Sequence, residues 1–250
     1  MRKSSLYEHS HNPQDIADRL SQGPKYSYLR DFIYGAIDGT ITTFAVVAGV
    51  AGAHLSSKVV VILGLANLIA DGFSMAISNF FGTRSEREQL AMAEKIEHEH
   101  IQTNPEGEKE EIRQIFIKKG FTGKNLERAV DVITSDIDRW VNMMIQDEIG
   151  MKLHPVSPWR AGLSTFTAFV LAGFVPLIAY LVNFFKPEFI LDPFRGSAIL
   201  TGVTFFIIGS IKSPYVLKSW WRSGLETFFA GMAASVIAYY IGYSLRSLVG

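Results

Sequence analysis

The sequence predicts an all-α polytopic membrane protein with five transmembrane helices and one long polar insertion between the second and the third. Three observations lead there. Residues 161–185 contain no Asp, Glu, Lys or Arg, and as a helix they would measure about 37 Å, longer than the ~30 Å hydrocarbon core of a bilayer. Four more stretches are similarly apolar, at 32–53, 59–83, 196–211 and 223–245. Residues 84–157, by contrast, carry 15 acidic and 11 basic side chains together with His98, His100 and His154, too polar a composition to enter lipid.

Residues 1–31 are polar, lack the apolar core of a signal peptide and read as a tail, with a short amphipathic helix near Ile16 to Leu20. Residues 32–83 hold spans one and two, joined by a turn at His54 to Lys58. After span two, RSEREQLAMAEKIEHEHIQ is rich in helix formers without Gly or Pro, so this span should run on as one helix until Asn104 and Pro105 end it. Two or three shorter helices are expected, around Glu108 to Lys119, Asn125 to Ser135 and Ile137 to Ile149. Residues 158–250 supply spans three to five. The fourth, at 196–211, is short for a bilayer unless the preceding FILDPF joins it. The odd count puts the termini on opposite sides.

Cations in the flanks orient the chain. Arg2, Lys3, Arg19, Lys25 and Arg30 precede span one, and Lys212, Lys218 and Arg222 separate spans four and five, whereas Lys186 and Arg195 between spans three and four are offset by Glu188 and Asp192. The positive-inside rule therefore places the N-terminus and the 84–157 domain in the cytosol.

Several classes of function are disfavoured. Acidic and basic residues balance at 24 each, so no basic footprint invites nucleic acid. The absence of Cys removes disulfides and thiolate metal sites. No HExxH, EF-hand loop, P-loop, GxSxG or GxGxxG occurs, so the chain reads neither as a recognisable hydrolase nor as a nucleotide-driven pump, and no enzyme is expected.

Charged groups within a span cost several kcal/mol on insertion scales of roughly 2.5–3.5 kcal/mol each, so Asp38, Asp71 and Glu226 require a reason. Asp38 and Glu226 lie near span ends, where a snorkelling Lys could pair with them; Asp71 lies in mid-span. Asn67, Asp71 and Met75 recur every fourth residue, which puts an amide oxygen, a carboxylate and a thioether on one stripe of span two. Such a stripe suits a borderline-soft divalent cation, although a Met at helical spacing is more often packing. Gly35 and Gly39 flank Asp38, and Ala45, Gly49 and Gly52 continue the small residues along span one. This surface predicts a close contact with span one of a second subunit, in a homodimer that would bring two Asp38 carboxylates to one pathway. In the polar insertion Glu97 and His100, Glu108 and Glu111, and Met144 and Glu148 each sit three or four apart, so each pair can present two ligands from one helical face. A solvated acidic face has the same spacing.

At these residues the chain resembles the vacuolar iron transporter family. The resemblance covers about residues 30–247 and rests on Asp31 to Gly52 (DFIYGAIDGTITTFAVVAGVAG), Asp71 to Glu86 (DGFSMAISNFFGTRSE) and Trp140 to Gly150 (WVNMMIQDEIG). It implies five spans, a dimer, an ion path lined by spans one and two, and proton-coupled export of iron(II) or manganese(II) from the cytosol. It also implies that Asp38 and Met75 line the path and that Glu97, Glu108, Glu111, Met144 and Glu148 bind metal in a helical cytosolic metal-binding domain. Where plant and fungal members have Glu, this chain has Asn67; where they have a small residue, it has Asp71; and one expected cytosolic Glu is His100. The ion is cargo, and no further cofactor is expected. The expected location is a prokaryotic cell membrane, or a vacuolar membrane in a eukaryote. A membrane-anchored metal sensor is the alternative, and a carboxylate-metal enzyme would need a substrate pocket that the sequence does not display.

Overall fold

The computed structural model describes residues 10–22, 26–153, 156–187, 189–215 and 218–248. Among the flanking groups and histidines named above, Arg2, Lys3, Lys25, His154 and Glu188 lie outside these residues. Among the described residues every regular element is helical. They are α1 (Pro13–Gln22), α2 (Leu29–Gly52), α3 (Ser57–Thr103), α4 (Pro105–Lys118), α5 (Gly123–Thr134), α6 (Ile137–Asp147), α7 (Pro158–Gly173), α8 (Ile178–Phe185), α9 (Pro193–Lys212) and α10 (Trp220–Leu245), with short 3-10 turns at Val175–Leu177, Ser213–Tyr215 and Arg246–Leu248. Five stretches are long and apolar enough to cross a membrane: Leu29–Gly52, Ser57–Thr103, Pro158–Phe185, Pro193–Tyr215 and Trp220–Leu248. The chain divides into two compact units, residues 1–80 with 159–250, and residues 81–158.

In the first unit the helix ends follow local chemistry. His54 adopts a positive φ of 58° at the turn between α2 and α3. The fourth span does recruit its flank: the Asp192 carboxylate accepts from the Arg195 N–H at 3.1 Å and Pro193 occupies the first turn, so α9 starts three residues before the uncharged stretch. The third span is not one straight helix. Pro176 has no N–H to give to the preceding turn, and α7 and α8 are separated by the 3-10 turn that contains it. The Ser197 hydroxyl donates to the Pro176 carbonyl at 2.5 Å.

The core of this unit collects Phe44, Val47 and Val50 of α2, Val60 and Leu68 of α3, Phe169 of α7, Leu177 and Tyr180. Hydroxyls buried beside it bond back to their own helices: Thr40 to the Ala36 carbonyl at 2.7 Å, Thr227 to Ser223 at 3.1 Å, Ser235 to Gly231 at 3.1 Å.

The glycine face of α2 corrects one expectation. Gly35 and Gly39 do not wait for a second subunit: a Cβ on Gly35 would strike the carbonyl oxygen of Thr165, and one on Gly39 that of Phe169, both on α7 of the same chain. Further along, Gly52 meets the Tyr239 carbonyl of α10 in the same manner. The GxxxG pattern records close backbone approach, and the partner is intramolecular. Gly49 is different, because a Cβ there would lie 3.7 Å from the Ala238 oxygen, an ordinary contact. Gly39→Ala is therefore expected to destabilise the solubilised protein by about 1–3 kcal/mol, a fall of roughly 2–4 °C in melting temperature per kcal/mol, whereas Gly49→Ala should melt with the wild type. Equal melting of both variants would contradict this packing.

The second unit has its own core of Leu90 and Ile101 from α3, Ile112, Ile115 and Phe116 from α4, Leu126 and Val130 from α5, and Trp140, Val141, Met144 and Ile145 from α6. Asn104 caps α4 by accepting from the Gly107 N–H at 3.3 Å, Asp136 caps α6 through the Arg139 N–H at 2.9 Å, and Gly120, with φ of 92°, closes the far end of α4.

Candidate metal-binding sites

Two groups of ionisable side chains stand out, one in each unit. In the polar unit, Glu97 and His100 lie one turn apart near the end of α3. The tight Asn104–Pro105 corner turns the chain back, so that Glu108 in the first turn of α4 returns beside them. One ligand atom from each of Glu97, His100 and Glu108 falls within 4.8 Å of the others. His100 Nδ1 is 3.6 Å from Glu108 Oε1.

Burial makes this cluster unusual. Glu97 and Glu108 are only 5% and 6% exposed, and one oxygen of each carboxylate, Oε2 in both, is buried without a hydrogen-bond partner among the described residues. A buried carboxylate left without a partner is costly, and the normal remedies are a proton or a cation. Burial pushes the Glu108 carboxyl up to about 7, reinforced by the like charges of Glu111 and Glu97 and opposed by His100. Burial also raises Glu97, with His100 opposing and Glu111 adding, and raises Glu148, with Glu111 and Glu97 adding. Glu111 and Glu148 are thus within electrostatic reach of the three-ligand cluster. Met144 lies one turn before Glu148 on α6 and is fully buried in the apolar core. Two carboxylates and an imidazole, with two more carboxylates nearby, form an oxygen and nitrogen donor set suited to a divalent first-row cation.

The sign of the pH dependence follows. Glu108 titrates in the folded chain well above its ordinary 4.5, so its protonated form is the one the apo fold favours. That contribution to stability is fully present below about 4.5 and is lost as pH rises through about 7. Hydrogen exchange across residues 81–158 of the full-length protein is expected to quicken over this window without metal and to slow again when manganese(II) is added. A flat profile in both conditions would count against a metal at these oxygens.

In the apolar unit, the Asp38 carboxylate on α2 lies within electrostatic reach of Asp71 on α3. No hydrogen bond to either carboxylate occurs among the described residues. Both are half-buried, as are Asn67 and Met75, and Met75 packs against the core around Phe44 and Leu68. Glu226 is explained without a pathway: the Lys218 ammonium donates to its two oxygens at 2.8 and 3.0 Å.

One polar junction escaped the sequence reading. Asp31, 8% exposed, accepts from the Tyr26 hydroxyl at 3.1 Å and from the Asn79 amide at 3.0 Å, and the same amide reaches the Thr165 hydroxyl at 2.7 Å. The signal was present: Asn79 continues the every-fourth-residue series of Asn67, Asp71 and Met75, and Asp31 lies seven residues before Asp38. Trp140 was missed as well; its indole N–H is buried without a hydrogen-bond partner among the described residues, one turn before Met144.

Residues 29–243 match the model of the VIT family. The chain belongs to that family. It is similar to vacuolar iron transporter 1 of Arabidopsis thaliana, 32% identical over 214 residues that cover 84% of this chain and 83% of the relative. It is also similar to the vacuolar iron transporter of Toxoplasma gondii, 30% identical over 89% of this chain and 76% of the relative, and to that of Plasmodium berghei, 27% identical over 100% and 93%. Membership extends across both units, so the apolar helices and the polar insertion belong to one family pattern.

Proposed function

We propose that this VIT-family protein carries iron(II), or manganese(II), out of the cytosol in exchange for protons. The observation that carries the reading is the Glu97, His100 and Glu108 cluster with its two partnerless buried carboxylate oxygens. The names of the relatives support iron as cargo. In this reading the 81–158 unit is a cytosolic metal-binding domain that captures the ion, with Glu111, Met144 and Glu148 completing its site, and Asp38, Asn67, Asp71 and Met75 conduct it. When no metal is bound, Asp38 and Asp71 take up protons, which relieves their mutual repulsion and supplies the return leg.

The orientation is supported at the helix starts. Trp159 opens α7 beside Arg160, and Trp220 and Trp221 open α10 beside Arg222, with the Arg222 guanidinium 5.1 Å from the Trp221 ring centre. All three Trp side chains are exposed. Interfacial aromatics with cations beside them mark the cytosolic membrane surface. The reading includes a homodimer in a cell membrane, or a vacuolar membrane in a eukaryote. Since α7 and α10 occupy the glycine face of α2, the subunits would meet through the half-buried side that bears Asp38 and through α3, whose Ile62, Ile69 and Phe73 are exposed. A sensor anchored by its spans would need neither Asp38 nor Asp71 within them.

Proteoliposomes holding a metal-sensitive dye and a pH-sensitive dye test the reading. Iron(II) added outside is expected to enter with a matching outflow of protons. Metal entry without a pH change would remove the exchange, and no entry would remove transport itself.

A further inference from the structure

We infer that the apolar groove between α9 and α10 seats an acyl chain of an anionic phospholipid, with Arg222 at its mouth holding the phosphate. The inference rests on these two helices being membrane spans and is independent of the ion path. The leaflet it names, the cytosolic one, follows from the orientation given above.

Between the antiparallel α9 and α10 lies a groove of about 550 Å³, walled by Ile199, Val203 and Phe206 of α9 and by Leu225, Phe228 and Met232 of α10. Every side chain that lines it is apolar. Each wall keeps to one helical face, since its residues recur at steps of three and four. The lining runs from Ala198 to Phe206 along α9, about 12 Å of rise, against ~15 Å for one leaflet of a ~30 Å hydrocarbon core. Ile199 and Val203 are 67% and 52% exposed, so the groove opens away from the helix bundle. Two glycines keep it open. A Cβ at 224 would come within 2.7 Å of the Phe206 ring, and one at 202 within 2.8 Å of the Phe228 ring. Each ring is thus seated on a glycine of the opposite helix and does not fold in to close the cleft. Walls without polar groups offer water no partner, and the apolar group at hand in a bilayer is an acyl chain.

Charge at the mouth decides which lipid. Arg222 lies three residues before Leu225, on the same face of α10 and about 4.5 Å nearer the membrane surface. Its side chain is exposed, with the guanidinium beside the Trp221 ring. Trp220 packs edge-on against the groove wall at Phe206, with 5.8 Å between ring centres. Exposed Trp beside Arg marks the depth of the headgroups. Between residues 212 and 226 the charged side chains are Lys212, Lys218, Arg222 and Glu226, and Lys218 already holds Glu226 at 2.8 Å. Lys212 and Arg222 therefore leave a positive surplus at this end. At the opposite end of α9 the charge is balanced, because Arg195 pairs with Asp192 at 3.0 Å. A guanidinium matches two oxygens of one phosphate. An anionic headgroup answers the surplus, whereas a zwitterionic one brings its own cation.

Native mass spectrometry of the full-length, detergent-solubilised protein gives the test, with equimolar phosphatidylglycerol and phosphatidylcholine added to the wild type, Arg222→Gln and Val203→Trp. The wild type is expected to retain one phosphatidylglycerol per chain in preference to phosphatidylcholine. Arg222→Gln should lower that preference about fivefold, the effect of one cation beside an anionic surface. Val203→Trp, which fills the groove from an exposed position, should lower retention of both lipids. Equal retention of the two lipids by the wild type overturns the inference and reduces the contact to ordinary bilayer solvation. An unchanged preference in Arg222→Gln, or unchanged retention in Val203→Trp, overturns it as well, since headgroup or chain would then be held elsewhere. A Val203→Trp protein whose oligomeric state falls would put a second subunit in the groove in place of the lipid, and that too overturns it. Should Val203→Trp not fold, Ile199→Trp, at a more exposed position, decides by the same criteria. Metal uptake plays no part in the readout, so failure here leaves the pathway reading standing.

Discussion

Asp38→Asn is expected to reduce metal transport to below about a hundredth of the wild-type rate, since even the outer partners of a metal site cost 10–100-fold when removed, while leaving the fold and metal capture by the 81–158 unit intact. The substitution is nearly isosteric. It removes no packing, because Asp38 is half-buried and the close α2 contacts are made by Gly35, Gly39 and Gly52 instead. Nor does it break a hydrogen bond, for none reaches this carboxylate among the described residues. What it removes is charge and the ability to take up a proton, at a point where the neighbouring group is another carboxylate, Asp71. Two acidic side chains within electrostatic reach of each other in apolar helices are unfavourable unless a proton or a cation offsets their charge. Initial rates of iron(II) entry per inserted protein, with melting temperature and manganese(II) titration as controls, give the result. Transport at the wild-type rate would remove Asp38 from the path, and a lowered melting temperature would make it a structural residue.

How much of this could be read from the sequence depends on the kind of force involved. The apolar helices were legible because a missing charge is a local property: residues 161–185 contain none, and no tertiary contact can alter that. The break at Pro176 was legible in the same local way, and only a reading by hydropathy alone passes over it. The glycine face of α2 was legible as a surface of close approach but not as to partner, since Gly35 and Gly39 declare that a backbone comes near without saying whose. The polar site was legible in halves. The pairs Glu97 with His100 and Glu108 with Glu111 follow from helical spacing, but their closure depends on the Asn104–Pro105 corner, and the partnerless oxygens appear only once burial is known. Asp31 was lost for a simpler reason: a boundary drawn at residue 31 assigned it to the polar tail, although it lies in the first turn of α2, buried.

The second large effect tests whether Asp71 is the α3 group that would carry the proton in the proposed exchange. Asp71→Asn is expected to lose nearly all transport, and the double change Asn67→Glu with Asp71→Gly to retain much of it. Asn67 can offer a carbonyl oxygen but cannot exchange a proton for a metal bond, whereas the Asp71 carboxylate can do both. The two positions are one turn apart on one face, about 6 Å of rise, and it is Asp71 that acts on Asp38. If one carboxylate on this face is the requirement, moving it by a turn shifts the station along the path without removing it, and Gly at 71 leaves the new side chain room to lean toward α2. Loss in Asp71→Asn together with activity in the double variant would show that the face matters more than the turn. An active Asp71→Asn protein would return Asp71 to the class of tolerated polar residues. A double variant that folds but stays inactive would fix the station at 71, tied to Asp38.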